Sequence, residues 1–156
     1  DNEHYCPGGV ILWGECYDIS STTHIDLYGQ GVTGQIPWQI GNLTNLIELN
    51  LSFNNLTGSI PSSIGNLTNL QILDLSENEL SGEIPQSICN LISQSLIHVG
   101  LRDNPGLTGQ LPECLCVLVM ENSGGGTGPG SNELWMMTDM TDIWWPPSSQ
   151  CNDCGR

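Results

Sequence analysis

The chain has 156 residues, with 2 Lys+Arg against 17 Asp+Glu and a formal net charge of −15. Lysine is absent, which excludes a P-loop phosphate site and a Schiff-base enzyme, since both need that side chain. The negative charge excludes nucleic acid and anionic membranes as favoured partners, because both bind basic surfaces. No run of about 18 apolar residues exists, so we expect no membrane insertion.

Seven cysteines in a chain of this length indicate an oxidising compartment. The chain begins at Asp1 rather than Met, and we interpret it as a mature secreted protein whose signal peptide has been removed. We therefore expect an extracellular location, secreted or at the cell surface. The odd number of cysteines predicts a free thiol or a bond between chains.

A repeat of about 24 residues fills residues 23–116. The string GNLTNL occurs at residues 41–46 and again at residues 65–70, and TGQIP, TGSIP and SGEIP succeed one another along the chain. Each unit opens with alternating apolar residues, which predicts a strand with one face inward. A coil that returns to the same strand position in every unit buries these side chains in a shared core. The alternating pairs are Ile25/Leu27, Leu49/Leu51, Leu73/Leu75 and Val99/Leu101.

Two further repeat positions carry polar or small residues. An amide at one of them is expected to lie inside the stack and bond the backbone of neighbouring coils. Glycine at the other indicates a backbone turn that a Cβ atom would obstruct. The amides are Gln30, Asn54, Asn78 and Asn104, and the glycines are Gly34, Gly58, Gly82 and Gly109.

The pattern LxLxxNxLTGxIPxxIGNLTNL resembles the plant-type leucine-rich repeat. The resemblance implies an α/β-type solenoid, mostly strand and coil, wound as a right-handed superhelix. It also implies a parallel β-sheet on the concave face, a short second strand at TGxIP, and disulfide-bonded caps. The segment from Cys6 to Cys16 resembles the cysteine-paired N-terminal cap of such proteins, so we expect these two cysteines to pair. We predict a cap at residues 1–22, about four repeat units at 23–116, and a C-terminal region at 117–156.

The resemblance implies that the concave face is the usual binding surface. Four strands about 4.8 Å apart make a sheet about 15 Å across, which is too narrow for a tight globular partner. We expect a short peptide, a glycan, or another extracellular protein that also uses the flanks; alternatively, these side chains only solvate the sheet. The candidate ligand-binding residues are His24, Asp26, Tyr28, Glu48, Asn50, Ser52, Ile72, Asp74, Ser76, His98 and Arg102, with Gly100 in the same columns.

We expect no catalytic residues, no cofactor and no metal ion. His24 and His98 belong to units about 14 Å apart across the sheet, too far to share one ion. Asp26 and Asp74 lie at about 10 Å, marginally suited to an inverting carboxylate pair, but a shallow face does not desolvate either carboxyl.

A glycine-rich loop and a segment rich in Trp and Met follow the repeats. This segment either caps the last coil or docks on another copy of the chain. The predicted assembly contact consists of Leu134, Trp135, Met136, Met137, Met140, Ile143, Trp144 and Trp145.

The remaining cysteines predict a second disulfide cluster. Links between the pair Cys114/Cys116 and the pair Cys151/Cys154 would tie the tail to the last repeat, with Cys89 as the odd thiol. The same spacing suits zinc, but disulfides are favoured in a secreted protein. The sequence does not fix the connectivity.

Two functions stay open, and both are non-enzymatic. We rank first a self-associating structural subunit of a cell-surface layer or filament, because the array is short and its two ends are non-equivalent. The charge of −15 opposes this association, although salt screens it beyond about 8 Å. The second is a soluble or surface-attached recognition protein that binds a peptide, protein or glycan on the concave face.

Overall fold

The 24-residue repeat folds as a series of stacked coils, each of which contributes one short strand to each of two parallel sheets. The computed structural model describes residues 5–92, 96, 98–109, 112, 114 and 115. The division of the chain at residues 22 and 116 stays a prediction. No helix within this described part is long and apolar enough to cross a membrane.

An antiparallel hairpin precedes the coils. Its strands are β1 (Gly9–Leu12) and β2 (Glu15–Asp18), joined by a two-residue turn. Both turn residues, Trp13 and Gly14, have positive φ, the backbone geometry that two-residue hairpin loops favour. A disulfide joins Cys6 to Cys16, as predicted, and holds the hairpin against the segment before it.

The concave sheet contains one three-residue strand from each of the four coils. In chain order these are β3 (His24–Asp26), β5 (Glu48–Asn50), β7 (Ile72–Asp74) and β9 (His98–Gly100), and they lie side by side in that order. The register places Ile25, Leu49, Leu73 and Val99 next to one another, all buried. The predicted alignment of the repeats is therefore confirmed.

The second sheet lies on the flank of the coils. Its strands are β4 (Thr33–Gln35), β6 (Asn55–Gly58), β8 (Glu79–Glu83) and β10 (Gly106–Thr108), again in chain order across the sheet. This confirms the short second strand implied by the resemblance. The four repeat glycines have φ between 75° and 86°, a left-handed backbone that favours glycine; they are Gly34, Gly58, Gly82 and Gly109. The predicted obstruction of a Cβ atom is wrong for Gly34, where a Cβ would meet nothing within 4 Å.

Short helices close the first three coils on their remaining side. They are 3₁₀ helices at Trp38–Asn42, Ser62–Asn66 and Gln86–Ile88, and the last continues into α1 (Cys89–Ile92). Each 3₁₀ helix begins after an extended proline, which has no N–H to donate to a helix and so marks its start.

Between the two sheets and the short helices, one cluster of buried side chains runs from Val10 to Leu115. Leu51, Leu75 and Leu101 are buried in it, while Leu27 in the first coil is only partly buried. The core is continuous along the stack, so each coil is stabilised mainly by its neighbours.

The amide side chains at the predicted interior position form a ladder of hydrogen bonds between neighbouring coils, with one exception. The Nδ2 of Asn54 donates to backbone carbonyls of its own coil and to that of Leu27 in the preceding coil, and its Oδ1 accepts from Val32 N–H. Asn78 and Asn104 repeat this arrangement. The prediction is wrong for Gln30, which is exposed, because the first coil has no preceding coil of the same kind to bond.

Cys89 is not a free thiol; it forms a disulfide with Cys114. The predicted roles of Cys89 and Cys114 are therefore wrong, since Cys114 is not free to pair with the tail. The equivalent positions hold Gly41 and Gly65, where an added Cβ would lie 2.5–2.6 Å from a backbone oxygen of the next coil. The Cβ of Cys89 occupies the corresponding position, which explains why its sulfur reaches Cys114. Cys116, Cys151 and Cys154 lie outside the described residues.

Candidate functional site

The outward-facing residues of the concave sheet lie in two regular rows. His24, Glu48, Ile72 and His98 are register partners, and Asp26, Asn50, Asp74 and Gly100 form the second row. The two histidines lie on the outer strands of the sheet, with two strands between them, so the structure does not bring them together.

The third predicted row, just beyond the strands, is only partly exposed. Ser52 and Ser76 are only 2% and 4% exposed, so they offer little surface to a ligand, and their role in binding stays a prediction. Each serine hydroxyl and backbone N–H donates to the Oδ1 atom two residues earlier, on Asn50 or Asp74. These turns end the strands after three residues and hold the second-row side chains in place.

A shallow groove lies on this face and is lined by residues of all four coils. Its volume is about 220 Å³. It brings together five of the predicted exposed side chains (those of Tyr28, Asn50, Asp74, His98 and Arg102) and leaves out His24, Asp26, Glu48 and Ile72. Its full lining is Tyr28, Asn50, Ser52, Phe53, Asp74, Ser76, His98, Val99, Gly100, Leu101 and Arg102.

Asp74 is the most constrained charged group in the groove. Its Oδ1 accepts from Ser76, and its Oδ2 lies 3.8 Å from His98 Nε2. Burial by itself raises the pKa of Asp74, but the nearby His98 and the hydrogen bonds from Ser76 outweigh it and leave the pKa below its ordinary value. The carboxylate is therefore charged at neutral pH and fixed in position.

Gly100 makes room for this carboxylate. A Cβ atom at Gly100 would collide with the Asp74 carboxylate and lie 3.3 Å from His98 Nε2. The sequence places Gly100 in the row without assigning it a role. In the structure, the missing side chain is what lets Asp74 and His98 approach each other across the sheet.

An aromatic pair forms one wall of the groove. The ring centroids of Tyr28 and Phe53 are 5.1 Å apart, and the side chains are 52% and 43% exposed. Sequence reasoning identified Tyr28 but missed Phe53, which follows the third row. Phe53 has a φ of 57°, and Glu77 and Asp103 share this left-handed conformation at the same repeat position. In the sequence, Phe53 directly precedes the ladder residue Asn54. A large apolar side chain at this otherwise polar or glycine position is the signal that would have identified Phe53.

Arg102 lies at the opposite rim, between two carboxylates. Its Nη2 is 3.6 Å from Glu77 Oε1, and its Nη1 is 3.8 Å from Asp103 Oδ2. All three side chains are more than a third exposed, so these ion pairs are weak and solvent-screened. Glu77 and Asp103 also escaped the sequence analysis, because their left-handed backbone turns them from the coil toward this rim. The predicted assembly contact at residues 134–145 lies outside the described part of the chain.

Comparison with known proteins identifies the repeat. Residues 44–93 match the family model for Leucine Rich repeats (2 copies). The ectodomain of the plant membrane receptor kinase GASSHO1/SCHENGEN3 from Arabidopsis thaliana, solved with CASPARIAN STRIP INTEGRITY FACTOR 2, is 42% identical to the chain. That match covers 62% of this chain and 11% of the other, with a TM-score of 0.58. The coils are plant-type leucine-rich repeats.

Two other solved structures are also similar to the chain. The plant peptide hormone receptor RGFR1, in complex with RGF2, is 39% identical over 59% of this chain and 14% of its own, with a TM-score of 0.53. A chain of the BIR3–SERK2 complex from Arabidopsis thaliana is 34% identical over 69% of this chain and 55% of its own, with a TM-score of 0.56. The present chain thus spans only about a tenth to a half of the length of these three proteins. No curated protein matches it in sequence.

Proposed function

We propose that the chain is an extracellular recognition module whose concave groove binds an extended peptide. The observation that carries this proposal is the groove itself, in which an exposed aromatic pair faces a fixed carboxylate on a rigid parallel sheet. Binding groups that are already held in place lose little conformational entropy when a ligand arrives. The Cys6–Cys16 and Cys89–Cys114 disulfides support an extracellular location.

The dimensions of the groove favour a short segment of ligand. A peptide that crosses the four strands of the concave sheet travels about 14 Å, which about four extended residues span. A volume of about 220 Å³ accommodates one or two side chains of such a segment, and not the surface of a globular protein. We therefore favour a peptide over a folded partner for this part of the chain.

The similar structures support a binding role. One is the ectodomain of a receptor kinase and another is a peptide hormone receptor, each solved with its named partner. Because the chain covers 11% and 14% of those proteins, their particular ligands are not transferred to it.

The proposal is tested by selecting binders from a displayed library of random dodecapeptides and measuring their affinity for two single variants. Tyr28→Ala is expected to weaken binding about tenfold, the scale at which a well-placed interface aromatic contributes. Trp38→Ala is the matched control, because Trp38 is 64% exposed but lies in a 3₁₀ helix outside the groove. Equal affinities for the wild type and Tyr28→Ala would count against the groove.

Self-association as a layer or filament remains a prediction from the sequence. It depends on the apolar tail at residues 134–145, and no observation in the described coils favours it over peptide binding. Light scattering of unreduced protein at high salt tests it directly. A monodisperse monomer would remove this alternative.

A further inference from the structure

The concave face carries more negative than positive charge. Asp26 is exposed and Glu48 is partly exposed in the first two coils, and Asp74 lies in the groove. Arg102 is the only Lys or Arg among the described residues, and neither Asp26 nor Glu48 forms an ion pair with it. With a net charge of −15 over the whole chain, the surrounding field also attracts cations.

Arg102 does not reverse the preference of the concave face for cations. It lies within 4 Å of both Glu77 and Asp103, so the three side chains together carry one negative charge. An anionic ligand at Arg102 would have to compete with both carboxylates. A cationic ligand meets no Lys or Arg at Asp26 or Glu48, and at Asp74 it meets only His98, 3.8 Å from the carboxylate, and the Ser76 donor.

The aromatic wall suits the same kind of ligand. Lys and Arg side chains combine a cationic head with an apolar stem that packs on hydrophobic surface. The exposed rings of Tyr28 and Phe53 offer that surface, and their faces attract cations. The Asp74 carboxylate lines the same groove and supplies the opposite charge.

We propose that the groove selects peptides that carry a Lys or Arg side chain, with its stem on the Tyr28–Phe53 pair and its head toward Asp74. Asp26 and Glu48 attract further positive charge on the same peptide. This inference rests on the proposed function, because it names the chemistry of the ligand that the groove would bind.

The experiment uses the dodecapeptides selected on the wild-type chain. Each selected Arg is replaced by citrulline, which keeps the shape of the side chain but removes its charge. We expect affinity to fall about tenfold, the scale of one charge-assisted hydrogen bond. Raising the salt concentration from 50 to 500 mM is expected to weaken binding of the Arg peptide more than binding of the citrulline peptide.

A pair of double variants separates local recognition from general attraction to an acidic protein. Asp26→Asn/Glu48→Gln removes two charges from the concave face, and Glu79→Gln/Glu83→Gln removes two exposed charges from β8 on the flank. The two variants have the same net charge. We expect about a fivefold loss of affinity from the first, on the scale of two partly screened charge pairs, and little change from the second.

The outcomes distinguish the two levels of the proposal. Equal losses from both double variants would overturn the inference, because binding would then follow net charge alone. Selection of neutral or acidic peptides that bind Tyr28→Ala more weakly than the wild type would also overturn the inference about Lys and Arg. Such a result would leave the peptide-binding function intact. If no selected peptide depends on Tyr28, the proposed function itself fails.

Discussion

Two hydrogen-bonded turns fix the groove at the level of single residues. In each, a serine donates both its hydroxyl and its backbone N–H to the side chain two residues earlier. In the second coil that acceptor is neutral Asn50, and in the third it is the charged Asp74. The third coil thus has Asp where the second coil has Asn. This difference adds a negative charge to the groove while the turn keeps the same hydrogen bonds.

The lowered pKa of Asp74 predicts how stability depends on pH. Since its folded-state pKa lies below the ordinary value of 3.8, charged Asp74 stabilises the fold above that value, and this contribution disappears as pH falls through the lower folded-state pKa. Asp74→Asn is therefore expected to reduce the free energy of unfolding by about 1 kcal/mol at pH 7 and by progressively less toward pH 2. Urea unfolding at both pH values measures the difference.

A second variant checks the cause of this pKa shift. Ser76→Ala removes a hydroxyl that donates to Asp74, so NMR titration should show a higher pKa for the Asp74 carboxyl than in the wild type. An unchanged pKa, or an Asp74→Asn effect that is constant with pH, would contradict the role given to this hydrogen bond.

At the scale of the elements, close approach between consecutive coils decides which residues are allowed. The 3₁₀ helices stack so tightly that a Cβ at Gly65 would lie 2.6 Å from both the backbone oxygen and the Cβ of Ser87. Gly29 differs, since a Cβ there would meet nothing within 4 Å, although its φ is 62°. The same repeat position holds Phe53 in the next coil, so the fold accommodates a side chain there.

These two glycines give a matched pair of substitutions. Gly65→Ala is expected to reduce the free energy of unfolding by about 2 kcal/mol or more, because the neighbouring coil must move. Gly29→Ala should cost only about 1 kcal/mol, from the left-handed backbone alone. Chemical denaturation of both variants tests the packing argument, which an equal cost for the two would contradict.

The sequence predicts those features that depend on spacing within one coil. Alternating leucines define the strands and their register, and Asn54, Asn78 and Asn104 define the ladder. Features that are specific to one coil and do not repeat escape it. Cys89 occupies a repeat position whose Cβ points at the next coil, where it bonds Cys114, and Gln30 fails as a ladder residue because no coil precedes it.

The groove was only partly predictable for a similar reason. Alternation places Tyr28 and Asp74 on the concave face, but it also places Ser52 there, which the turn buries. Phe53 lies outside the alternating pattern and joins the groove through its left-handed backbone. Side-chain direction at the end of a strand depends on backbone conformation that spacing alone does not reveal.

At the scale of the whole molecule, disulfides fasten parts of the stack. Cys6–Cys16 holds the N-terminal hairpin, and Cys89–Cys114 joins the third coil to the fourth across 25 residues of sequence. A solenoid gains its stability from contacts between neighbouring coils, so a covalent link between the last described coils limits fraying there.

The second disulfide has a measurable effect on folding. Replacing both Cys89 and Cys114 by Ser is expected to reduce the free energy of unfolding by about 3 kcal/mol, on the scale for a loop of this length. Mass spectrometry of an unreduced digest should recover the peptides of Cys89 and Cys114 linked together. Recovery of Cys114 linked to Cys151 or Cys154 would contradict this connectivity.

The central claim is that the concave groove is where this chain meets its ligand. Hydrogen-exchange mass spectrometry with and without a selected dodecapeptide tests it most directly. We predict slower exchange on binding in the segments 72–76, which contains the groove residues Asp74 and Ser76, and 98–102, all of which line the groove. Protection confined to the flank strands at 33–35 and 55–58, or to the tail at 134–145, would contradict the claim.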